Sequence, residues 1–265
     1  MGVLDDIVSH KRSELAGRRA RRPLVALERD CRGLPAAHDF EAALRPGPGQ
    51  RVRLIAEVKR ASPSQGVIKD DLDPAAQARA YAEAGAAAVS VLTDERYFRG
   101  SLDDLVAVRR QISVPVLRKD FVVDEYQLWE SRAAGADAIL LIVAALDPSA
   151  LGDLLQAVKG VGLAALVEVH TAPELEQALG AGAPVIGVNN RDLQTLATTL
   201  EPSLSLLPRI PPGAVAVSKS GIFTAADVRR LVAAGAHAVL VGESLLKAPD
   251  VRAKVRELLL DGGAA

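Results

Sequence analysis

Charged side chains stand at the ends of runs that otherwise read as buried strands, and their spacing points to proton transfer beside an anion site. In Ile55-Ala56-Glu57-Val58-Lys59-Arg60 the acid and the lysine are two residues apart. On an extended strand they share a face. Val116-Leu117-Arg118-Lys119-Asp120-Phe121 puts Leu117, Lys119 and Phe121 on one face, with Arg118 and Asp120 on the other. Leu166-Val167-Glu168-Val169-His170 carries a lone acid in an apolar strand. His170 has the same parity as Glu168 but lies further out, where a rim or capping role is expected. In Gly187-Val188-Asn189-Asn190-Arg191-Asp192-Leu193, Asn189 and Arg191 offer an amide and a guanidinium on one face, and Asn190 on the other is expected to support the loop. Burying such groups is costly, so they need a reason. Lysines can stabilise and protonate a developing alkoxide, and carboxyl groups can carry protons. A confined mouth is expected to disfavour the Lys119 ammonium, and burial to raise the Glu168 pKa toward acid/base duty.

Two turns add the anion site. Ser218-Lys219-Ser220-Gly221-Ile222 closes one strand and Val241-Gly242-Glu243-Ser244 the next. Glycine allows close backbone approach, and N–H groups at a short helix start form an anion nest. No Walker loop, zinc-ligand cluster or G-x-S-x-G elbow occurs, so nucleotide hydrolysis, zinc chemistry and serine-hydrolase chemistry lack support.

The elements that must position these residues alternate β then α after Gln50. Strands are expected at Val52–Lys59, Ala87–Thr93, Val114–Phe121, Ala136–Ala144, Leu163–His170, Val185–Asn190, Ala214–Ser220 and Ala238–Gly242. Between them, Asp73–Ala84, Ser101–Gln111 and Thr224–Ala234 have helical period. Gly85-Ala86, Gly135-Ala136, Gly182-Ala183 and Gly235-Ala236 recur at spacings of 50, 47 and 53 residues, each between a helix and the next strand. Glycine there tolerates the positive φ of a helix C-cap. The pattern predicts an α/β chain folded as a (β/α)8 TIM barrel, with an open doubly wound sheet as the alternative. The site is then expected at the C-terminal strand ends.

Ahead of the barrel, Val3, Leu4, Ile7, Val8 and Leu15 fall at helical spacing, and Phe40–Leu44 forms a second apolar patch before Pro46-Gly47-Pro48-Gly49. Residues 1–49 read as an N-terminal helical extension, and residues 1–265 as a single barrel domain. The basic run from Lys11 to Arg22 is expected to be a solvated helix face rather than a nucleic-acid arm, because Glu14 and Glu28 interrupt it.

The chain has 265 residues, 49% hydrophobic but only 3% aromatic, so its core must be built from Ala, Val, Leu and Ile. A net charge of −1 gives no case for nucleic acid or an anionic membrane. Cys31 alone excludes an internal disulfide and a cysteine metal cluster. Without a signal-like start or a long apolar run, a cytoplasmic monomer or weak homo-oligomer is expected.

Seven stretches, in order, resemble the indole-3-glycerol phosphate synthase family: Ile55–Ser64, Ser90–Asp94, Val116–Phe121, Leu166–His170, Ile186–Leu193, Ser220–Ile222 and Val241–Leu245. The resemblance implies ring closure of 1-(2-carboxyphenylamino)-1-deoxyribulose 5-phosphate to indole-3-glycerol phosphate, with loss of CO2 and water and without cofactor or metal. It implies Lys119 as general acid, Glu168 as an acid/base residue, Lys59 as a substrate anchor also involved in proton transfer, and Glu57 and Asn189 as orienting groups. Arg191 matches a site arginine. Ser220, Gly221, Gly242 and the Glu243 backbone match the phosphate site. Ser62 is a further candidate for substrate contact, and Phe121, Leu141 and Leu193 for the wall against the benzoate ring.

One position departs from the family pattern: Lys219 stands where Glu is usual before Ser-Gly-Ile. Val215, Val217 and Lys219 share a face, so a third lysine is expected in the mouth, where it retunes its neighbours or the anion site and alters turnover without changing the reaction. A phosphoribosyl-sugar isomerase and a non-catalytic phosphosugar-binding barrel are the competing functions.

Overall fold

The computed structural model describes residues 2–63, 65–192 and 197–261. Eight parallel strands close into a barrel: β1 Arg53–Val58, β2 Ala88–Leu92, β3 Val116–Lys119, β4 Ala138–Ile142, β5 Ala164–Val169, β6 Val185–Asn189, β7 Val215–Lys219 and β8 Ala238–Val241. Each strand pairs with its sequence neighbours, and β8 pairs with β1 to close the ring. The open-sheet alternative is thereby excluded. The expected strands are each recovered, trimmed at their ends.

The extension forms α1 Val3–Arg21, α2 Leu24–Cys31 and α3 Phe40–Leu44. After β1 comes α4 Pro74–Glu83; after β2, the short α5 Glu95–Phe98 and α6 Leu102–Arg109. Helices α7 Tyr126–Ala133, α8 Pro148–Val161, α9 Ala172–Gly180, α10 Glu201–Leu206 and α11 Ala225–Ala233 follow β3 to β7 in turn, and α12 Glu243–Leu246 and α13 Val251–Leu258 follow β8. Gly85 and Gly235 adopt φ of 106° and 104°, as the cap repeat requires.

Strand alternation sorts the apolar residues into two cores. Outward residues such as Val89, Ile139, Val167 and Val239 pack under the helices. Inward residues such as Ile55, Leu117, Leu140, Leu166 and Val217 fill the barrel. Phe40 and Leu44 of α3 join the inward set, so α3 plugs the N-terminal end. Arg53 secures it there by donating from Nε to the Ala43 carbonyl at 2.8 Å.

Helix α1 lies at the opposite end, where Val3, Leu4 and Ile7 line the cavity in the C-terminal mouth. The solvated-face expectation for its basic run is corrected at two positions. Lys11 is only 1% exposed and contacts Asp94 and Asp120, and Arg18 pairs with Glu130 at 3.1 Å. Their spacing of seven residues puts both on the barrel-facing side of the helix.

Candidate active site

The barrel mouth collects the inward polar residues of five strands. Glu57 from β1, 4% exposed, is the hub of one half. Its carboxylate pairs with Lys59 Nζ at 2.8 Å and with Lys119 Nζ, from β3, at 3.3 Å. Burial pushes the Glu57 pKa up, but Lys119 and Lys59 outweigh it and hold the carboxyl well below its usual range. Gly242 is required beside it, since a Cβ there would come within 2.6 Å of Glu57 Oε1. Beneath Lys119 lies the ring of Phe98, its centroid 5.7 Å from Nζ. Phe98 in turn meets Phe121 at 6.1 Å between centroids.

The other half is built on Glu168 from β5. Asn189 of β6 donates to its Oε1 at 2.7 Å, and Lys219 of β7 forms an ion pair with its Oε2. The expected rise of the Glu168 pKa is overturned. Burial does push it up, but attraction by Lys219, His170 and Lys119 brings it down to about 2. Lys219 moves the other way for a carboxylate's partner: desolvation outweighs Glu168, Lys119 repels it, and its pKa falls to about 8. The pairing itself favours the charged form of both groups; burial and Lys119 are what lower the Lys219 pKa. Glu168 is thus held as a carboxylate, beside an ammonium whose pKa burial has lowered.

The loops are fixed by both asparagines at the end of β6, inward Asn189 and outward Asn190. Asn189 Oδ1 accepts from the Ser220 hydroxyl at 2.8 Å and from the Arg191 N–H at 3.1 Å. Asn190 donates to Ser218 Oγ and to the Ser220 carbonyl, both at 3.0 Å, which is the expected loop support. Ser220 and Gly221 both adopt left-handed φ, 69° and 71°. At Gly221 a Cβ would also strike Thr198 at 2.6 Å. Gly242 caps α12, and Glu243 begins it with its side chain paired to Lys247 at 2.8 Å. His170 is a rim residue: its ring N–H donates to the Arg191 carbonyl, and its backbone N–H donates to Glu174 at 2.7 Å.

Of the residues singled out from the sequence, Glu57, Lys59, Ser62, Lys119, Phe121, Glu168, Asn189, Arg191, Ser220, Gly221, Gly242 and Glu243 line one cavity, with Lys219. Leu141 does not. It packs outward under the helices, while Leu140 and Ile142 face the cavity. The register explains the error: Ile142 lies opposite Glu168, so the inward parity of β5 carries across to Ile142. Leu193 lies outside the described residues. Phe98 and Phe223 also line the cavity but lie outside the strands, Phe98 at the end of the four-residue α5 and Phe223 in a loop, where no strand periodicity marks them.

Comparison with known proteins is consistent with this geometry. Two solved structures share the fold at low identity: 3-hexulose-6-phosphate synthase from Salmonella typhimurium, with a TM-score of 0.64 at 14% identity over 79% of this chain and 98% of that one, and thiamine phosphate pyrophosphorylase from Pyrococcus furiosus, with 0.60 at 16% over 83% and 96%. Sequence relatives are far nearer. The indole-3-glycerol phosphate synthase of Kineococcus radiotolerans is 50% identical over 99% of this chain and 96% of its own length. That of Roseiflexus sp. (strain RS-1) is 48% identical over 97% of each. The profile of the family itself matches residues 4–258. The chain belongs to the indole-3-glycerol phosphate synthase family, the carboxy-lyases of tryptophan biosynthesis.

Proposed function

We propose that the cavity closes the pyrrole ring of 1-(2-carboxyphenylamino)-1-deoxyribulose 5-phosphate, with Lys119 as the general acid and Glu168 as the base. The observation that carries this assignment is the Glu57 carboxylate bridging two ammonium groups, Lys59 at 2.8 Å and Lys119 at 3.3 Å, in the mouth that also holds the glycine turns after β7 and β8.

The carboxyl-bearing ring carbon attacks the C2 ketone, and the carbonyl electron pair becomes an alkoxide. The Lys119 ammonium stabilises that charge and protonates it. The carboxylate then leaves as CO2, its bonding pair returning to the ring, so the scheme calls for no electron-sink cofactor. Protonation of the hydroxyl by one of the two lysines releases water. Glu168, already ionised, takes the last carbon-bound proton. Lys59 anchors the substrate, Glu57 holds both lysines, and Asn189 orients Glu168. Ser220, Gly221, Gly242 and the Glu243 N–H receive the phosphate. Arg191 and Ser62 bind the remaining polar groups, and Phe121, with Phe98 and Ile142, forms the ring wall.

The protein is proposed to act in the cytoplasm on this small phosphosugar, as a monomer or weak homo-oligomer. Its net charge of −1 favours neither nucleic acid nor anionic lipid, and no described helix is long and apolar enough to cross a membrane. The deciding experiment follows indole absorbance and fluorescence after adding the carboxyphenylamino substrate. Indole formation supports the scheme. Phosphate binding without indole would favour a binding protein instead.

A further inference from the structure

Lys11 lies in no substrate cavity, yet it is among the most deeply buried cations of the chain. Its ammonium lies at ion-pair distance from three carboxylates: Glu14 at 2.9 Å, Asp94 at 2.8 Å and Asp120 at 3.0 Å. Glu14 is one turn along the same helix, but the other two belong to the barrel: Asp94 follows the strand that ends at Leu92, and Asp120 follows Lys119.

Asp120 directly follows Lys119. Its Oδ1 pairs with Lys11 and accepts from the Phe121 N–H at 2.8 Å, while its Oδ2 accepts from the Thr93 hydroxyl at 2.6 Å and pairs with Arg118 at 2.9 Å. The two residues flanking Lys119 in sequence are thus paired with each other, and Asp120 also borders the cavity. Asp94 follows β2 and caps α5 by accepting from the Tyr97 N–H at 2.7 Å. That short helix carries Phe98, the ring beneath the Lys119 ammonium. One ammonium therefore touches the segment that bears the acid and the segment that bears its aromatic support.

Anchoring α1 does not require this contact. Leu15 packs with Leu27 and Tyr126, Arg18 pairs with Glu130, and the Tyr126 hydroxyl donates to the carbonyls of Arg18 and Arg22 at 3.2 and 2.9 Å. What Lys11 adds is neutralisation of two buried carboxylates that would otherwise repel each other across the ends of β2 and β3. We propose that Lys11 is a positioning residue for ring closure: through Asp94 and Asp120 it sets the distance between the Lys119 ammonium and the Phe98–Phe121 wall. The proposal rests on the assignment of Lys119 as the acid.

The test compares kcat, KM and the inhibition constant of inorganic phosphate in four full-length variants, measured well below their melting temperatures. Lys11→Met is expected to lower kcat by about ten- to a hundredfold, as for a reacting group displaced by roughly an ångström, with KM and phosphate inhibition changed by less than about threefold. Asp94→Asn keeps its shape and its capping oxygen, and is expected to lower kcat by about three- to tenfold. It supplies the readout should Lys11→Met fail to fold. Leu15→Ala loosens the same helix while keeping the ammonium, and is expected to leave kcat within about twofold. Wild-type kcat in the folded Lys11 or Asp94 variant overturns the proposal. So does an equal loss in Leu15→Ala, which would assign the effect to the helix as a whole. Lys119→Ala tests the underlying assignment separately, since activity retained there removes the acid whatever the Lys11 variants do.

Discussion

The two ends of the barrel are closed by the same N-terminal extension with opposite materials. At the N-terminal end, α3 presses Phe40 and Leu44 against Ile55, Ala88, Val185 and Val215, with both α3 side chains fully buried. At the C-terminal end, α1 lays Val3, Leu4 and Ile7 over a cavity walled by Glu57, Lys59, Lys119, Glu168 and Lys219. The first closure excludes a cavity and the second roofs one. Packing that fills space stabilises the fold, whereas charge facing a cavity is stabilised mainly by other charges and is free to act on a ligand.

The contrast can be broken at either end. Lys119→Ala should lower turnover by about 10²–10⁴-fold with the melting temperature and phosphate affinity nearly unchanged, checked by indole formation and calorimetry. Near-native turnover would remove the division between the ends. Phe40→Ala should do the reverse, costing about 3–5 kcal/mol of stability by denaturant titration while kcat stays at the parent value below the transition. Between the ends, Leu141→Ala should cost about 2–5 kcal/mol without changing KM, whereas Ile142→Ala should raise KM, because neighbouring residues of one strand serve different cores.

The pH response sharpens the contrast further. The lowered pKa of Glu168 contributes stability that is present above pH 4.5 and lost as pH falls toward about 2. The lowered pKa of Lys219 acts oppositely: its cost is present below about pH 8 and disappears as pH rises through 10.5. The two act in opposite directions near neutrality, as in a buried pair whose desolvation competes with its attraction. Lys219→Glu replaces attraction by repulsion, and the Glu168 pKa should rise above its usual 4.5. The acidic limb of the pH–rate profile should move up, and the contribution near pH 8 should vanish. Profiles that superimpose would show that Lys219 is silent.

Strand parity made most of this legible. Glu57, Lys59, Glu168, Asn189 and Lys219 announce their inward faces because each interrupts an otherwise apolar run, whereas beside Lys119 the outward Arg118 and Asp120 are buried as a mutually paired set. Leu141 was misplaced because β4 is apolar on both faces, so its parity needed the register with Glu168 on β5. Phe98 stood in a four-residue helix with no period to read. Lys11 looked like every other cation of its run until the helix met the barrel. The Glu168 pKa was misjudged for a related reason, since burial was visible in the strand but the neighbouring ammonium depended on tertiary approach.

The clamp formed by α1 and α3 bears on the order in which the chain assembles. Phe40 and Leu44 leave the ribosome early, yet the inward core they join also needs Val185, Val215 and Val217, well over a hundred residues later. Loop-closure entropy makes such distant contacts slow to form. The segment synthesised first is therefore expected to dock late, leaving its apolar residues exposed until the last strands arrive and β8 meets β1.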